Sequence, residues 1–581
     1  MKNQFFTILL IVISIQYAFS QHVIRHNESV AWYKSIAQEQ LFLHYNSSVL
    51  FTGENLHYSV YGFNSLTNQL TKTSKITYVE LVGENGVVFK HKIKLNKGLG
   101  QGDFFIPSSV ITGNYKLIAY TQWMRNGGDS HFFQADLTII NPYSKIDFDD
   151  NAQLVKPKKE AVNSQYQQLK MTTNAATFDT REEVSLQIKS LNVSNAFGNY
   201  SISVRKQDEV YNANQPVTSK TYKSNYNDKG ISLPKRINDT IFLPESRGEI
   251  ITGRVVSKND KKPVVKVEVA LSILSNEAYQ DIVFTNKSGV FIFYLKNVYS
   301  KSDAIVQVLG DEKLNYKIDV ANHESISYSD LKFDKVSIHP NYKENIIKRS
   351  VSNQIENTYQ ILKKDSTIYP QYPKTFYGNY QTTYILDDYK RFSTVAETLV
   401  EVVDHAWHER YNGKQRVINI REREHDPYFG INILPMIVVD GALVQDHESI
   451  LYYDAKKVKS ISVLRDEYYY GDRVYQGVLM INTFDKDFYK SMLGDYLKFF
   501  YLFSPLLQVD YFKQIYTNQV NYDRIPDYRN QLLWMPNFEL NKNEDEITFY
   551  TSDVKGVYEI SLEGFTKRGL PISNKRTFDV K

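Results

Sequence analysis

Short runs of alternating apolar and polar residues, closed repeatedly by glycine, asparagine or proline, fill most of this chain. Runs of that length and period bury one face each only as β-strands. Leu41-Phe42-Leu43-His44, Leu56 to Tyr61, Tyr78 to Val82 and Val87 to Ile93 read as strands, and Glu84-Asn85-Gly86 as a hairpin turn, since Asn-Gly supplies the positive φ angles such a turn needs. Composition agrees: Tyr 44 and Phe 32 against Met 7 favour strands over helices. At 581 residues the chain has room for roughly four domains. Lys+Arg 69 against Asp+Glu 65 leaves +4, too little and too evenly spread for a nucleic-acid binder. Cys is 0, which excludes disulfides, zinc–thiolate sites, iron–sulfur clusters, a cysteine nucleophile and a lipidated N-terminal cysteine.

Residues 1–20 read as a signal peptide. Lys2 is the positive start, Phe5 to Ile15 is an apolar core too short to span a bilayer, and Ala18-Phe19-Ser20 puts small residues at the −3 and −1 positions. Cleavage there would leave 581 − 20 = 561 residues. No later run reaches ~18 consecutive apolar residues, so no direct membrane span is expected. The expected location is exported: periplasm or outer-membrane associated, or the cell surface. Export without cysteine suits a bacterial envelope, where disulfides are optional.

Residues 38–142 read as a β-sandwich ending near Pro142. The elements Leu41 to His44, Gly53-Glu54, Tyr78 to Leu81, Gly98-Leu99-Gly100-Gln101-Gly102-Asp103-Phe104, Gly113 to Leu117 and Thr121 to Asn126 resemble an MG2-type macroglobulin domain, in the version that opens a group of exported Bacteroidota envelope proteins. Family macroglobulins trap proteases through a thioester built on cysteine, and that chemistry does not carry over to this chain. A polar stretch around Lys156-Pro157-Lys158-Lys159 reads as a linker. Residues 165–212 read as a second small, macroglobulin-like sandwich, with strict alternation in Val184 to Ile188 and Tyr200 to Val204, and 213–247 as a further linker. In 248–322, Gly253 to Val256, Val267 to Leu271 and Thr285 to Phe293 resemble the carboxypeptidase regulatory-like domain, a small transthyretin-like sandwich without an active site of its own.

Helical spacing follows at Ile346 to Asp365 and Phe392 to Val403, the second with Ser393 or Thr394 as cap. In 377–486, Val438-Val439-Asp440-Gly441, Ile461 to Asp466 and Gly477 to Ile481 resemble the plug domain of TonB-dependent outer-membrane receptors. A receptor barrel of about 22 strands needs more than roughly 200 residues, and only 581 − 484 = 97 follow Phe484. Phe499 to Val509 reads as aromatic and irregular, and 525–581 as a C-terminal β-sandwich-like unit. The expected class is therefore mainly β: tandem β-sandwich domains, macroglobulin/immunoglobulin-like and transthyretin-like, plus an α+β plug-like domain lacking its barrel. Because the apolar strands of 377–486 are short and flanked by polar loops, that region is expected to fold without lipid as a soluble fragment.

The sequence marks no catalytic, cofactor-binding or metal residue. His405 and His408, three apart, would share a helical face, but the order His-x-x-His-Glu lacks the zincin arrangement; a metal-dependent hydrolase at this pair is the alternative function. Gly98-x-Gly100-x-Gly102 runs into Phe-Phe-Ile-Pro rather than a helix, so it reads as a hairpin and not a phosphate loop. The resemblances imply a non-enzymatic envelope binding or scaffold protein without cofactor, its plug-like domain engaging an outer-membrane β-barrel made by another chain, or another envelope protein. A type IX-secreted surface protein, sorted by its last ~90 residues, is the further alternative. Tyr468, Tyr469, Tyr470, Arg473 and Tyr475, in a stretch longer than the family pattern, have the composition of interface hot spots and form the candidate partner interface. The same composition suits packing against the neighbouring sandwich.

Overall fold

The computed structural model describes residues 36–152, 168–191, 196–207, 210, 215–227, 241–274, 279–296, 303–321, 325–369, 382–411, 415–422, 433–470, 473–492, 494–516 and 524–581. The expected signal peptide, 1–20, lies outside them. Strands make up 48% and helices 14%, so the protein is mainly β, built of sandwiches. Among the described residues no helix is long and apolar enough to cross a membrane. The chain forms two compact units. The larger holds 22–248, 325–369 and 505–581, and the smaller holds 249–324 and 370–504.

In the larger unit a first sandwich packs a three-stranded sheet (Glu39–Tyr45, Asn55–Asn64, Leu99–Phe105) on a five-stranded one running Val49–Phe51, Phe133–Ile140, Gly113–Tyr120, Ile76–Gly83, Gly86–Lys94. The glycines of the Gly-x-Gly-x-Gly run lie at and in the strand Leu99–Phe105. Gly102 is there because the Tyr58 ring lies over it: a Cβ would stand 2.6 Å from Tyr58 Cζ. Every residue of Glu39–Tyr45 is buried, since this strand is covered on both faces. Phe42 meets Phe133 on one side and Phe565 on another, at ring separations of 6.0 and 5.5 Å.

The cover is a second sandwich, and it corrects the expected division. Segments 165–212 and 525–581, read as two separate units, fold into one. Its five-stranded sheet runs Thr177–Phe178, Pro571–Val580, Gly556–Thr566, Gly198–Lys206, Gln531–Leu540, and its three-stranded sheet runs Glu544–Tyr550, Glu183–Ser190, Leu169–Thr173. Val184, Leu186, Ile188, Ile202 and Val204 share one core with Leu540, Phe549, Ile560, Leu562 and Phe578. The alternation in each half defined a buried face without saying what would cover it. Within each half only one pair of strands is hydrogen-bonded together, Leu169–Thr173 with Glu183–Ser190 and Gly556–Thr566 with Pro571–Val580, and a lone two-stranded pair is marginal by itself. Tyr115, Tyr200 and Tyr558 each donate their hydroxyl to the carbonyl four residues upstream (Ile111, Ala196 and Val554; 2.8, 2.6 and 2.8 Å). Such corner bonds account for part of the tyrosine enrichment.

The expected linker 213–247 is also structured where described. Helix Ser219–Asn227 begins on the buried Glu563 carboxylate, which accepts from Ser219 N (2.8 Å) and Oγ (2.7 Å). Further on, Tyr78 OH donates to Glu245 Oε1 (3.2 Å) and Asn126 Nδ2 to Phe242 O (2.8 Å). Helix Lys343–Thr358 brings Arg349 to the buried Glu54, which Arg205 of the second sandwich also reaches.

In the smaller unit the third sandwich pairs Val290–Leu295, Glu249–Ser257 and Tyr316–Val320 in one sheet. Its other sheet runs Tyr279–Phe284, Glu268–Ile273, Asp303–Val308, Leu497–Tyr501. The last strand falls where the sequence read irregular; it pairs antiparallel with Asp303–Val308. Beside it lies an α+β domain whose sheet order is Thr382–Ile385, Val458–Leu464, Val478–Thr483, Met436–Val439, Ala442–Val444. Helices Val395–Glu401 and His447–Leu451 cover one face, where Val395, Leu399, Ile450 and Leu451 meet Ile437, Val439, Ile461 and Ile481. Asp440 (φ 51) and Gly441 (φ 90) turn the chain between the last two strands. The Asp440 carboxylate accepts from Thr483 N and Oγ1, both at 2.7 Å.

Candidate partner interface

The opposite face of the α+β sheet is apolar as well. Met436, Val438, Leu464, Val478 and Met480 cluster there with Leu443 and with Ala270 and Leu309 of the third sandwich. The tyrosine segment closes this cluster. Tyr468–Tyr470 and Arg473–Tyr475 form a hairpin in the register Tyr468↔Tyr475, Tyr469↔Val474, Tyr470↔Arg473. Strand alternation sends Tyr468, Tyr470 and Tyr475 onto the cluster, and the rings of Tyr468 and Tyr470 stack at 6.1 Å. Tyr470 OH donates to Gln280 O, and Arg473 Nε to Glu268 Oε2 (2.6 Å). Burial pushes the Tyr468 hydroxyl up to about 12 and Tyr470 well above its ordinary value. Four of the five residues expected to meet a partner thus face the neighbouring sandwich of their own unit. Tyr469 alone points out, 61% exposed, its hydroxyl on Glu467 Oε2 (2.8 Å).

The edge strand Ala442–Val444 is sealed by glutamines that looked like ordinary polar positions in the sequence. Gln307 Nε2 donates to Leu443 O (2.8 Å), Gln445 Nε2 to Gln307 Oε1 (2.7 Å) and Val308 O (2.9 Å), and Gln280 Nε2 to Gly441 O (3.3 Å). The only signal for Gln307 was its place inside the apolar run Ile305-Val306-Gln307-Val308. One sheet face and one edge of the domain expected at 377–486 are thus covered by the third sandwich.

At the other edge, no strand among the described residues pairs with the outer side of Thr382–Ile385. Ile385 and Phe484 are each 48% exposed and Tyr389 44%. Arg391 fixes this rim. Its Nη1 donates to Ala455 O (3.0 Å) and Val458 O (2.5 Å), its Nη2 pairs with Asp387, and its guanidinium lies 5.6 Å from the Phe484 ring centre.

His405 and His408 do not share a helical face. Thr394 Oγ1 accepts from Glu397 N (3.2 Å), the cap that starts the helix, while Glu397 Oε2 accepts from Ser393 N (3.0 Å) just before it. The helix ends at Glu401, before the β-branched pair Val402-Val403. His405 lies in the following turn at φ 69 and His408 on strand Ala406–Tyr411, opposite Ile418. Among the described residues no three His, Asp or Glu side chains gather where they could hold a metal ion.

No family model matches the chain, and no curated protein sequence matches it. Solved structures that it resembles include Escherichia coli alpha-2-macroglobulin activated by porcine elastase (9% identity, 94% of this chain, 44% of that chain, TM-score 0.24). A mutant of Salmonella alpha-2-macroglobulin gives 9% identity, 94% and 40% coverage and a TM-score of 0.24. The Yersinia pseudotuberculosis adhesin InvE gives 10%, 49%, 59% and 0.13. The chain spans less than half the length of those macroglobulins. What it has in common with them is mainly-β sandwich construction.

Proposed function

We propose that this chain is an exported, non-enzymatic binding and scaffolding protein of the cell envelope, and that its α+β domain, plug-like in its motifs, engages an outer-membrane β-barrel made by another chain through the open edge at Thr382–Ile385. The observation that carries the reading is the asymmetry of the sheet. One edge is sealed on the third sandwich through Gln307 and Gln445, while the other has no strand paired to it among the described residues and is flanked by exposed Ile385, Tyr389 and Phe484. An open edge with apolar flanks is a template for an added strand. The sequence's own candidate, the tyrosine hairpin, contributes by locking the domain to its sandwich rather than by meeting the partner. A photo-crosslinking residue placed at Thr383 or Ile385 in whole cells tests the reading. Capture of a barrel protein from these positions, and not from Tyr468, is expected. Crosslinks only within the chain, or only to soluble periplasmic proteins, would overturn it.

A further inference from the structure

One corner of the third sandwich concentrates positive charge that the scaffold reading does not use. Three loops cross the same end of this sandwich, each joining its two sheets: 258–267, 285–289 and 309–315. Strand pairing orders them. Loop 258–267 is in the middle, between Glu249–Ser257 and Glu268–Ile273. Loop 285–289 joins the edge strands Tyr279–Phe284 and Val290–Leu295 on one side, and 309–315 joins Asp303–Val308 to Tyr316–Val320 on the other. The first two loops are bonded into one surface. Lys266 N donates to Thr285 O (2.9 Å), Val255 N to Gly289 O (2.8 Å) and Arg254 Nε to Ser288 O (3.0 Å). A Cβ on Gly289 would stand 3.1 Å from Pro263 Cβ, so the two turns are in close contact.

Arg254, Lys261, Lys262, Lys266 and Lys287 share this corner, and Asp260 is the one acid within 254–266 and 284–289. All four lysines are exposed. Asp260 pairs with Lys262 (3.1 Å), and Asp319, opposite Arg254 in the register, pairs with Lys317 (3.5 Å). Lys261, Lys266 and Lys287 have no ion pair among the described residues. The other acids of this end lie on the far side of the middle loop. Asp311 and Glu312 are on 309–315, and Asp495 takes the charge of Lys258 (3.2 Å). Lys261 (φ 58) and Lys266 (φ 55) hold left-handed backbone, where glycine or asparagine would be relaxed. Lysine at two such positions in one loop points to a use for its charge.

Two apolar side chains stand out of the same corner. Val265, between Lys262 and Lys266, is 47% exposed, and Phe284, the last residue of its strand, is 48% exposed. Exposed apolar residues ringed by lysine fit a bilayer surface: the apolar groups enter the boundary below the headgroups while the ammonium groups meet lipid phosphates. Glu249, where the chain enters the sandwich, and Val320, where it first leaves, are at the other ends of their strands, so the corner is clear of both connections.

We propose that this corner docks the protein on an anionic phospholipid membrane surface, with Val265 and Phe284 entering the interface and Lys261, Lys262, Lys266 and Lys287 meeting lipid phosphates. The contact is peripheral. It is independent of the open edge at Thr382–Ile385 and holds whether or not that edge takes a strand.

The test is co-sedimentation of the full chain with vesicles of phosphatidylethanolamine and phosphatidylglycerol, against vesicles of phosphatidylcholine alone. Binding to the first, reversed by salt, is expected, and none to the second. A lysine near an anionic surface is worth about fivefold in affinity, so Lys261→Gln, Lys262→Gln and Lys266→Gln together weaken binding about a hundredfold. Lys343→Gln, Lys348→Gln and Lys364→Gln, at three exposed lysines of the larger unit, remove the same charge and leave binding within about twofold. Val265→Ser with Phe284→Ser leaves the charge unchanged and weakens binding about tenfold. A melting curve checks the fold of each variant, and Val265→Ser alone decides the apolar arm if the pair does not fold. Absence of binding to the phosphatidylglycerol vesicles, or equal losses from the two lysine triples, would overturn the proposal. So would a serine variant that binds like the parent; retention of the chain on dextran sulfate would then assign the corner to a soluble polyanion instead.

Discussion

Each unit joins two β-rich modules, but the two joints use different chemistry. In the larger unit a buried carboxylate, Glu54, is shared by Arg205 of one sandwich and Arg349 of the bracing helix. Burial alone would raise the Glu54 carboxyl, but the two guanidiniums outweigh it and hold it far below the carboxylate range. In the smaller unit the joint is mainly neutral: Gln307, Gln445 and Gln280 hydrogen bond across a face otherwise made of Met436, Val438, Leu443 and Met480, with one ion pair, Arg473 on Glu268, at the tyrosine hairpin. An ionic joint is sensitive to pH and to the loss of one partner. A neutral amide joint is indifferent to pH, and opening it exposes a continuous apolar surface.

The comparison can be broken most severely by deleting 525–581. The loss takes Leu532, Leu533, Leu540, Phe549, Tyr558, Ile560, Leu562 and Phe578 from a shared core. At ~1.5–3 kcal/mol per buried side chain this exceeds ~12 kcal/mol, the scale of a whole domain's stability. The expected result is an unfolded second sandwich, seen as lost hydrogen-exchange protection in 169–206, with the smaller unit still protected. Such a truncation therefore reports on folding before it reports on surface sorting.

Glu54→Ala comes next, costing about 3–5 kcal/mol because it strands two buried guanidiniums. It should lower the melting transition of the larger unit and leave the other in place. Acid sharpens the contrast. Burial holds the His44 and His57 imidazoles down at about 3, so the stability they contribute is full above their ordinary 6.5 and drains away as pH falls from there towards 3. At Asp527 burial works upward, but Arg529 and Lys363 prevail and hold the carboxyl at about 2, so its share is lost between 3.8 and 2. Glu563 has the opposite sign: burial raises it to about 7, so its share is full below 4.5 and is lost as pH rises to 7. In the smaller unit His447 is lowered by burial to about 4, with loss from 6.5 downward. Acidification should unfold the larger unit first, as read by hydrogen exchange of peptides from each.

A smaller effect is expected from Gln307→Ala. It leaves Leu443 O without its donor, for roughly 1–3 kcal/mol, and the cost should not vary between pH 5 and 8. A joint that weakens with pH after this change would contradict its neutral character. Smallest of all is Tyr469→Ala, whose side chain points outward; the melting temperature should move by less than about 2 °C. Tyr470→Ala, by contrast, should loosen the hairpin measurably.

Local signals were well legible in the sequence. The hairpin at Glu84-Asn85-Gly86 and the cap at Thr394 are each decided by residues a few positions apart. Partners were not legible. Alternation in Glu183–Ser190 defines a buried face, but the strand that pairs beside it is Glu544–Tyr550, more than 350 positions away. The tyrosine hairpin could be read two ways, because aromatic residues with arginine suit an internal joint as well as an external one, and its bonds to Gln280 and Glu268 are internal. The histidine pair misled because helical spacing was carried through Val402-Val403, where the chain turns into a hairpin. Arg205 and Arg349 escaped notice because they meet through Glu54, which lies on a third segment.

The split second sandwich also sets a timetable. Strand Gly198–Lys206 must wait for Gln531–Leu540, its neighbour in the sheet. At 5–20 residues per second that delay is about 16–65 s of chain elongation. During it, Tyr200, Ile202 and Val204 have no lasting cover, while the intervening 249–504 contains all the strands of the smaller unit and can close on its own. Early in its life the chain is therefore a finished insert following an unfinished half-sandwich, and the strands from Gln531 onward are the ones that close it.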